Sequence, residues 1–184
     1  MISATRAVAL AIAASFAVGA CGGVDETYRA TKKTQAAIAT LKLKLKQRLQ
    51  AAMAEGPEKA VEVCANEAQA IRQQVASDTG VTLGRASLRL RTPADAAPDW
   101  VQAWLEQQGE RKVEGLAGLE VIEAHRVRVL VPIGVDGMCV SCHGDEDSLA
   151  PDVLKAIKTR YPGDKAFGYA AGDLRGAFWA ELTY

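Results

Sequence analysis

From Val24 to Ala54 the chain is rich in Lys, Gln and Ala and holds neither Pro nor Gly. Ile38, Leu41, Leu45, Leu49 and Met53 recur at steps of three and four, which marks one face of an α-helix. Lys42, Lys44 and Lys46 interrupt with alternate spacing, and their long stems suit a solvated flank. Gly56-Pro57 ends this helix, and Pro57 suits the first turn of the next. From Glu58 to Asp78, Val61, Cys64, Ala68, Ile71 and Val75 form a second apolar stripe, closed by Thr79-Gly80.

The period then changes from helical to alternating. Val81 to Arg91 reads as a strand whose apolar parity slips at Gly84, which predicts a bulge or a bend between two short strands. Thr92 to Pro98 reads as a loop. Asp99 to Gln108 carries Trp100, Val101, Trp104 and Leu105 at helical spacing. Gly115 and Gly118 punctuate a turn. Leu119 to Ile133 is the longest strand signal, with Val121, Val127, Val129 and Val131 in phase. Ala150 to Tyr161 is a helix between Pro151 and Pro162-Gly163. Ala166 to Ala171 and Leu174 to Leu182 read as a hairpin around Gly172-Asp173. Helices come first and strands later, so the expected fold class is α+β on an antiparallel sheet.

The 184 residues suit one domain of ordinary size, and 49% apolar residues suffice for a core. Lys+Arg equals Asp+Glu at 22 each, which carries no footprint of a nucleic-acid partner. Residues 1–20 read as a signal peptide. One positive charge precedes Ala7 to Ala20, an unbroken run of 14 apolar or small residues, short for a membrane span. Val18-Gly19-Ala20-Cys21 has the form of a lipobox, with Cys21 lipidated as the new N-terminus; plain cleavage after Ala20 is the alternative. Both imply export, here to a periplasmic site with the membrane reached through the lipid anchor. Residues 21–56 form the N-terminal helix, which can pack on the domain, dimerise or act as a stalk. Residues 57–184 form the domain proper.

The chemistry sits in "GMCVSCHGD", Gly137 to Asp145. In an exported protein, Cys139-x-x-Cys142-His143 is the attachment pattern of a c-type haem. Both thiols add to vinyl groups and the adjacent imidazole binds iron. A thioredoxin-type pair belongs in a βαβ context, and a zinc site needs two further ligands. One motif implies one covalent haem. Its sixth position has several candidates: Cys64 on an apolar helix face, His125 in phase with Val121 and Val127, Met53, or no protein ligand. Met138 directly precedes Cys139 and is poorly placed to cross the ring. Cys64 is the cysteine left over once Cys21, Cys139 and Cys142 have roles; an ordinary core thiol is its alternative reading. Arg85, Arg89 and Arg91 share one strand parity and are candidates for haem propionates, or else form a solvated face. Arg128, Tyr169 and Arg175 are weaker candidates of the same kind.

Four segments carry a resemblance: "KAVEVCANEA" (Lys59 to Ala68), "GVTLGRASLRLRTPADAAPDW" (Gly80 to Trp100), "VLVPIGVDGMCVSCHG" (Val129 to Gly144) and "RYPGDKAFGYAAGDLRGAFWAEL" (Arg160 to Leu182). From about Thr34 onward the chain resembles the Tll-like haem sensor domains. These are single c-type haem domains with a PAS-like fold, found alone or as the sensing part of histidine kinases. The resemblance implies His143 and Cys64 as the two iron ligands. Thr92 and Asp95 depart from the family pattern, which usually carries Asn at one or both positions. A thiolate ligand favours ferric iron, and its bond is readily lost on reduction or when NO or CO arrives. The expected role is therefore redox or small-gas sensing through a signalling or redox protein partner, and not catalysis. A small electron-transfer cytochrome is the alternative, and a peroxidase would need an open site with His125 as its acid–base group.

Overall fold

The computed structural model describes residues 22–184, with side chains from residue 24. The expected signal segment and Cys21 lie outside the described residues. Two long helices open the chain, α1 (Gly22–Glu55) and α2 (Pro57–Thr79), and they pack against each other as a hairpin. Gly56 turns between them at φ 128°, a conformation that favours glycine, and Gly80 closes α2 in the left-handed region at φ 63°. The stripe read from the sequence is the one that is buried. Ile38 and Leu41 are almost wholly covered, as are Val61 and Val75 on α2. Each such side chain contributes about 1.5–3 kcal/mol on burial. Of the three roles open to α1, the structure shows packing on α2 and on the sheet.

The sheet has four antiparallel strands in the order β1-β4-β3-β2, with β1 Thr82–Ala86, β2 Leu119–Glu123, β3 Arg126–Gly134 and β4 Leu174–Thr183. This confirms the α+β architecture, a PAS-like antiparallel sheet with flanking helices and a long N-terminal helix. One face, with Leu83, Val127, Val129, Phe178 and Ala180, packs on Ala37, Ile38, Leu41 and Val75 of the helical hairpin. The other takes helix α3 (Asp99–Gln108), whose Val101, Trp104 and Leu105 cover Ala86, Leu130 and Ala177. Trp100 meets Trp179 edge to face at 6.3 Å. Two short helices complete the fold, α4 (Val140–His143) and α5 (Pro151–Arg160).

Four expectations are corrected. β1 runs straight through Gly84 in regular register with β4. The glycine is needed for contact, because a Cβ there would stand 3.0–3.1 Å from the Trp179 ring. The strand then stops at Ala86, so Arg85, Arg89 and Arg91 do not share one strand face. Leu119 to Ile133 is two strands, with a reversal at Ala124-His125 that carries no turn signature. Glu123 pairs with Arg126 across it, and the tight reversal switches parity. Val121 therefore shares the tryptophan face of Leu119 and Leu130, while Val127, Val129 and Val131 face the helices. Finally, Ala166 to Ala171 forms no strand. Its backbone is spent on α4 instead: the N–H groups of Gly168 and Tyr169 donate to Gly144 O and His143 O, each at 2.9 Å.

Candidate functional site

A cleft of about 380 Å³ opens between the helical hairpin and the Gly134 end of the sheet. Its walls come from several elements. Leu49 and Met53 of α1 and Val61 and Cys64 of α2 supply much of the apolar side. Arg85 comes from β1, Phe178 and Arg175 from β4, and Cys139, Cys142 and His143 from α4 and the turn before it. The topology thus brings together the two pieces of sequence chemistry that lie furthest apart, the motif at Cys139 to His143 and the thiol at Cys64.

His143 is oriented by its backbone neighbour. Its Nδ1 donates to Ala166 O at 2.8 Å, which fixes the proton there and leaves Nε2 with a free lone pair. Burial, aided by Arg91 and Arg175, pushes its pKa down to about 3, so the imidazole is neutral. Tyr169 packs edge-on against the ring at 6.3 Å. Neutral imidazole with one nitrogen anchored and the other bare is the form that binds a metal. Cys64, Cys139 and Cys142 are all free thiols. Burial raises the pKa of each, while Arg85 and Arg91 pull Cys64 the other way and Arg91 does so for Cys142.

The arginines divide. Arg85 lines the cleft and donates to Asp95 at 3.3 Å. Arg91 also lines it, but it is committed to structure: it pairs with buried Asp164 at 2.8 Å and donates to Cys142 O, tying the loop after β1 to the motif. Arg89 lies outside the lining, donates to Phe167 O at 2.8 Å and stacks 3.8 Å from the Tyr169 ring centre. Arg128 belongs to the tryptophan face, over Trp100 and bonded to Glu181. Arg175 enters the cleft because β4 bulges: Ile133 pairs with Gly176 and Gly134 with Leu174, so Arg175 has no partner across the ladder and is re-aimed. It donates to Arg89 O at 3.0 Å, yet its Nε is buried with no partner. A buried donor without an acceptor is costly, and it is the guanidinium as a cation that Arg175 brings to the cleft wall.

His125 does not reach the cleft. It sits exposed in the β2–β3 reversal at φ 65°, beside Tyr184. Eight residue steps of β3 separate that end from Gly134, about 26 Å of extended chain. Its parity with Val127 misled because the reversal lay between two residues with no turn preference. Met53 and Met138 both line the cleft. The site also includes Asp95, Asp164 and Tyr161, which sequence reasoning missed. Tyr161, at the end of α5, lines the cleft, and burial pushes its hydroxyl up to about 12. Tyr161-Pro-Gly-Asp164 reads as a helix end and a turn, and nothing local marks its acid as the partner of Arg91. At Thr92, Oγ1 accepts from Ala94 N at 3.4 Å and caps the turn Pro93–Asp95, so the departures from the family pattern keep a capping and a pairing role.

The set can act as two thiols flanking one imidazole for covalent attachment, a third thiol and a thioether as further soft donors, and a cation with an unused donor. Apolar walls surround them. No curated protein matches the chain. Its fold is similar to the crystal structure titled as the cyanobacterial heme-protein Tll0287, with a TM-score of 0.59 and 21% identity, over 79% of this chain and 92% of that one. The family model described as Tll0287-like matches residues 20–182, and on that span the chain belongs to the Tll0287-like family.

Proposed function

We propose that this chain is an exported haem protein that holds one covalent c-type haem in the cleft and acts as a redox or small-gas sensor. The observation that carries it is the meeting of Cys64 with Cys139, Cys142 and the bare Nε2 of His143 in one cleft. In this reading Cys139 and Cys142 carry the thioether bonds, and His143 Nε2 and Cys64 Sγ are the iron ligands. Arg175 and Arg85, which line the cleft, face the propionates. Arg91 and Arg89 act one step back, by holding the loops around the motif. A haem with a thiolate ligand supplies a redox centre whose Cys–iron bond is sensitive to oxidation state and to NO or CO. The fit of the residues favours this group: soft and borderline donors, a neutral imidazole and apolar walls. The protein is read as periplasmic and lipid-anchored at Cys21, working through a redox or signalling protein and not as an enzyme.

A second reading, a small electron-transfer cytochrome, draws on Met53, which shares the cleft. A thioether bond survives both oxidation states better than a thiolate. The test is an EPR spectrum of the ferric, haem-loaded protein beside its Cys64→Ser variant, with CO added to the reduced form. A narrow low-spin thiolate signal that vanishes in the variant, with CO binding on reduction, supports the sensor. A signal unchanged in Cys64→Ser, lost in Met53→Ala and blind to CO makes the protein an electron carrier.

A further inference from the structure

Between Thr27 and Ala54 the chain holds seven Lys or Arg and no Asp or Glu, which leaves 15 Lys or Arg against all 22 acidic residues elsewhere. A balanced total thus conceals a strongly polarised molecule. These cations do not neutralise the domain. Arg29 and Arg48 are paired, with Asp25 and Glu67, and Lys42 and Lys46 line the cleft, but Lys32, Lys33 and Lys44 are exposed and have no ion-pair partner among the described residues. α1 buries its other side on α2 and the sheet, so its outward face is uncovered there. At the centre of that face stands Leu43, 56% exposed, with Tyr28, 61% exposed, further toward the N-terminus. At about 100° per residue, Lys32 lies nearly in line with Leu43 along the helix, and Lys33 and Lys44 lie to one side of it.

We propose that the outward face of α1 lies on an anionic phospholipid surface. Three observations favour lipid over an acidic protein. The cations are spread along a helix of 34 residues, about 51 Å of straight rod, which matches a flat surface. Lysines in line with and beside an exposed leucine can extend their stems into one interface with it. The helix begins at Gly22, beside Cys21, where the sequence reading expects a lipid anchor. An anchor at that end makes the electrostatic contact intramolecular, which raises its effective concentration at the surface. The acidic remainder of the molecule is repelled by the same surface, which sets one orientation. This inference does not rest on the haem reading.

The test uses the chain from Gly22, which holds every described element and lacks the lipid, exported behind a conventional cleaved leader. Flotation is measured with phosphatidylcholine vesicles, with and without phosphatidylglycerol, at low and high salt. The expected result is binding only with phosphatidylglycerol, abolished by salt. Each lysine is worth about fivefold in partitioning, so Lys32→Gln, Lys33→Gln and Lys44→Gln together should lose well over tenfold. The same number of changes on α5, Lys155→Gln, Lys158→Gln and Arg160→Gln, should leave binding within twofold. Unchanged far-UV circular dichroism shows that both triples fold. Failure of the wild type to float with phosphatidylglycerol, or equal loss in both triples, overturns the proposal. Binding of poly-glutamate but not of the vesicles also overturns it and assigns the face to an acidic protein.

Discussion

The two walls that carry the candidate iron ligands are built differently. The His143 wall is held by directional bonds. Its imidazole donates to Ala166 O, its carbonyl accepts from Tyr169 N, Gly144 O accepts from Gly168 N, and Arg91 links Cys142 O to a buried carboxylate. The Cys64 wall has almost none of this. Cys64 makes no hydrogen bond among the described residues, α2 follows Gly56 with no side-chain cap, and Val61 rests on Val153 and Ile157 through apolar contact, with only the exposed Glu62–Arg160 pair beside it. The Arg48–Glu67 tie to α1 stands in solvent. Directional bonds specify one geometry. Apolar packing carries no such directional constraint, so in the sensor reading proposed above the thiol side is the wall that moves.

That contrast can be broken at its strongest point first. Asp164→Ala leaves Arg91 charged and nearly covered, at 11% side-chain exposure, with no carboxylate. Urea unfolding of the haem-free chain should show a loss of about 3–5 kcal/mol; a loss below ~1 kcal/mol would mean the His143 wall stands without it. Next comes the sheet edge that aims Arg175. A Cβ at Gly176 would sit 2.1 Å from Ala86 O, a backbone atom that cannot swing aside. Gly176→Val should therefore part β1 from β4, costing about 1–3 kcal/mol by the same measurement. On the thiol side, Cys64→Ser should change the stability of the haem-free chain by less than about 1 kcal/mol. A larger loss would show Cys64 to be a packing residue and erase the contrast.

The smallest effect lies at the outer tie of the fixed wall. Asp173 accepts from Ala170 N at 2.7 Å and pairs with Lys112 at 2.6 Å. The Lys112 ammonium holds its carboxyl below the ordinary value of 3.8. Folding therefore favours the ionised form. This stabilisation is complete above 3.8 and is lost as the pH falls through the lowered value. Asp173→Asn should flatten the acid arm of a stability–pH curve and leave the neutral region almost unmoved; an unchanged acid arm would show that the tie is idle.

Much of this was legible in the chain because the signals were local. The stripes of α1 and α2 and the Trp-bearing α3 follow from helical spacing. Cys139-x-x-Cys142-His143 is a contiguous motif. The errors cluster where the determining contact is remote. Gly84 looked like a bulge because the indole that excludes a side chain there is on another strand. His125 looked inward because a reversal with neither Gly nor Asn hides between residues that alternate smoothly. Ala166 to Ala171 looked like a strand, yet its N–H groups serve α4.

What the sequence by itself determined is which residues can bury apolar surface at a regular period, and which carry donor chemistry. These are properties of neighbours along the chain. Only the tertiary structure decided which donors meet. It set Cys64 and Met53 in the cleft with His143 and left His125 at the far end of the sheet. It tied Arg91 to Asp164, and it turned Arg175 inward through one unpaired residue of β4. The physical reason is that strand register and loop pairing are fixed by contacts between segments distant in sequence, and a shift of one residue moves a side chain to the opposite face.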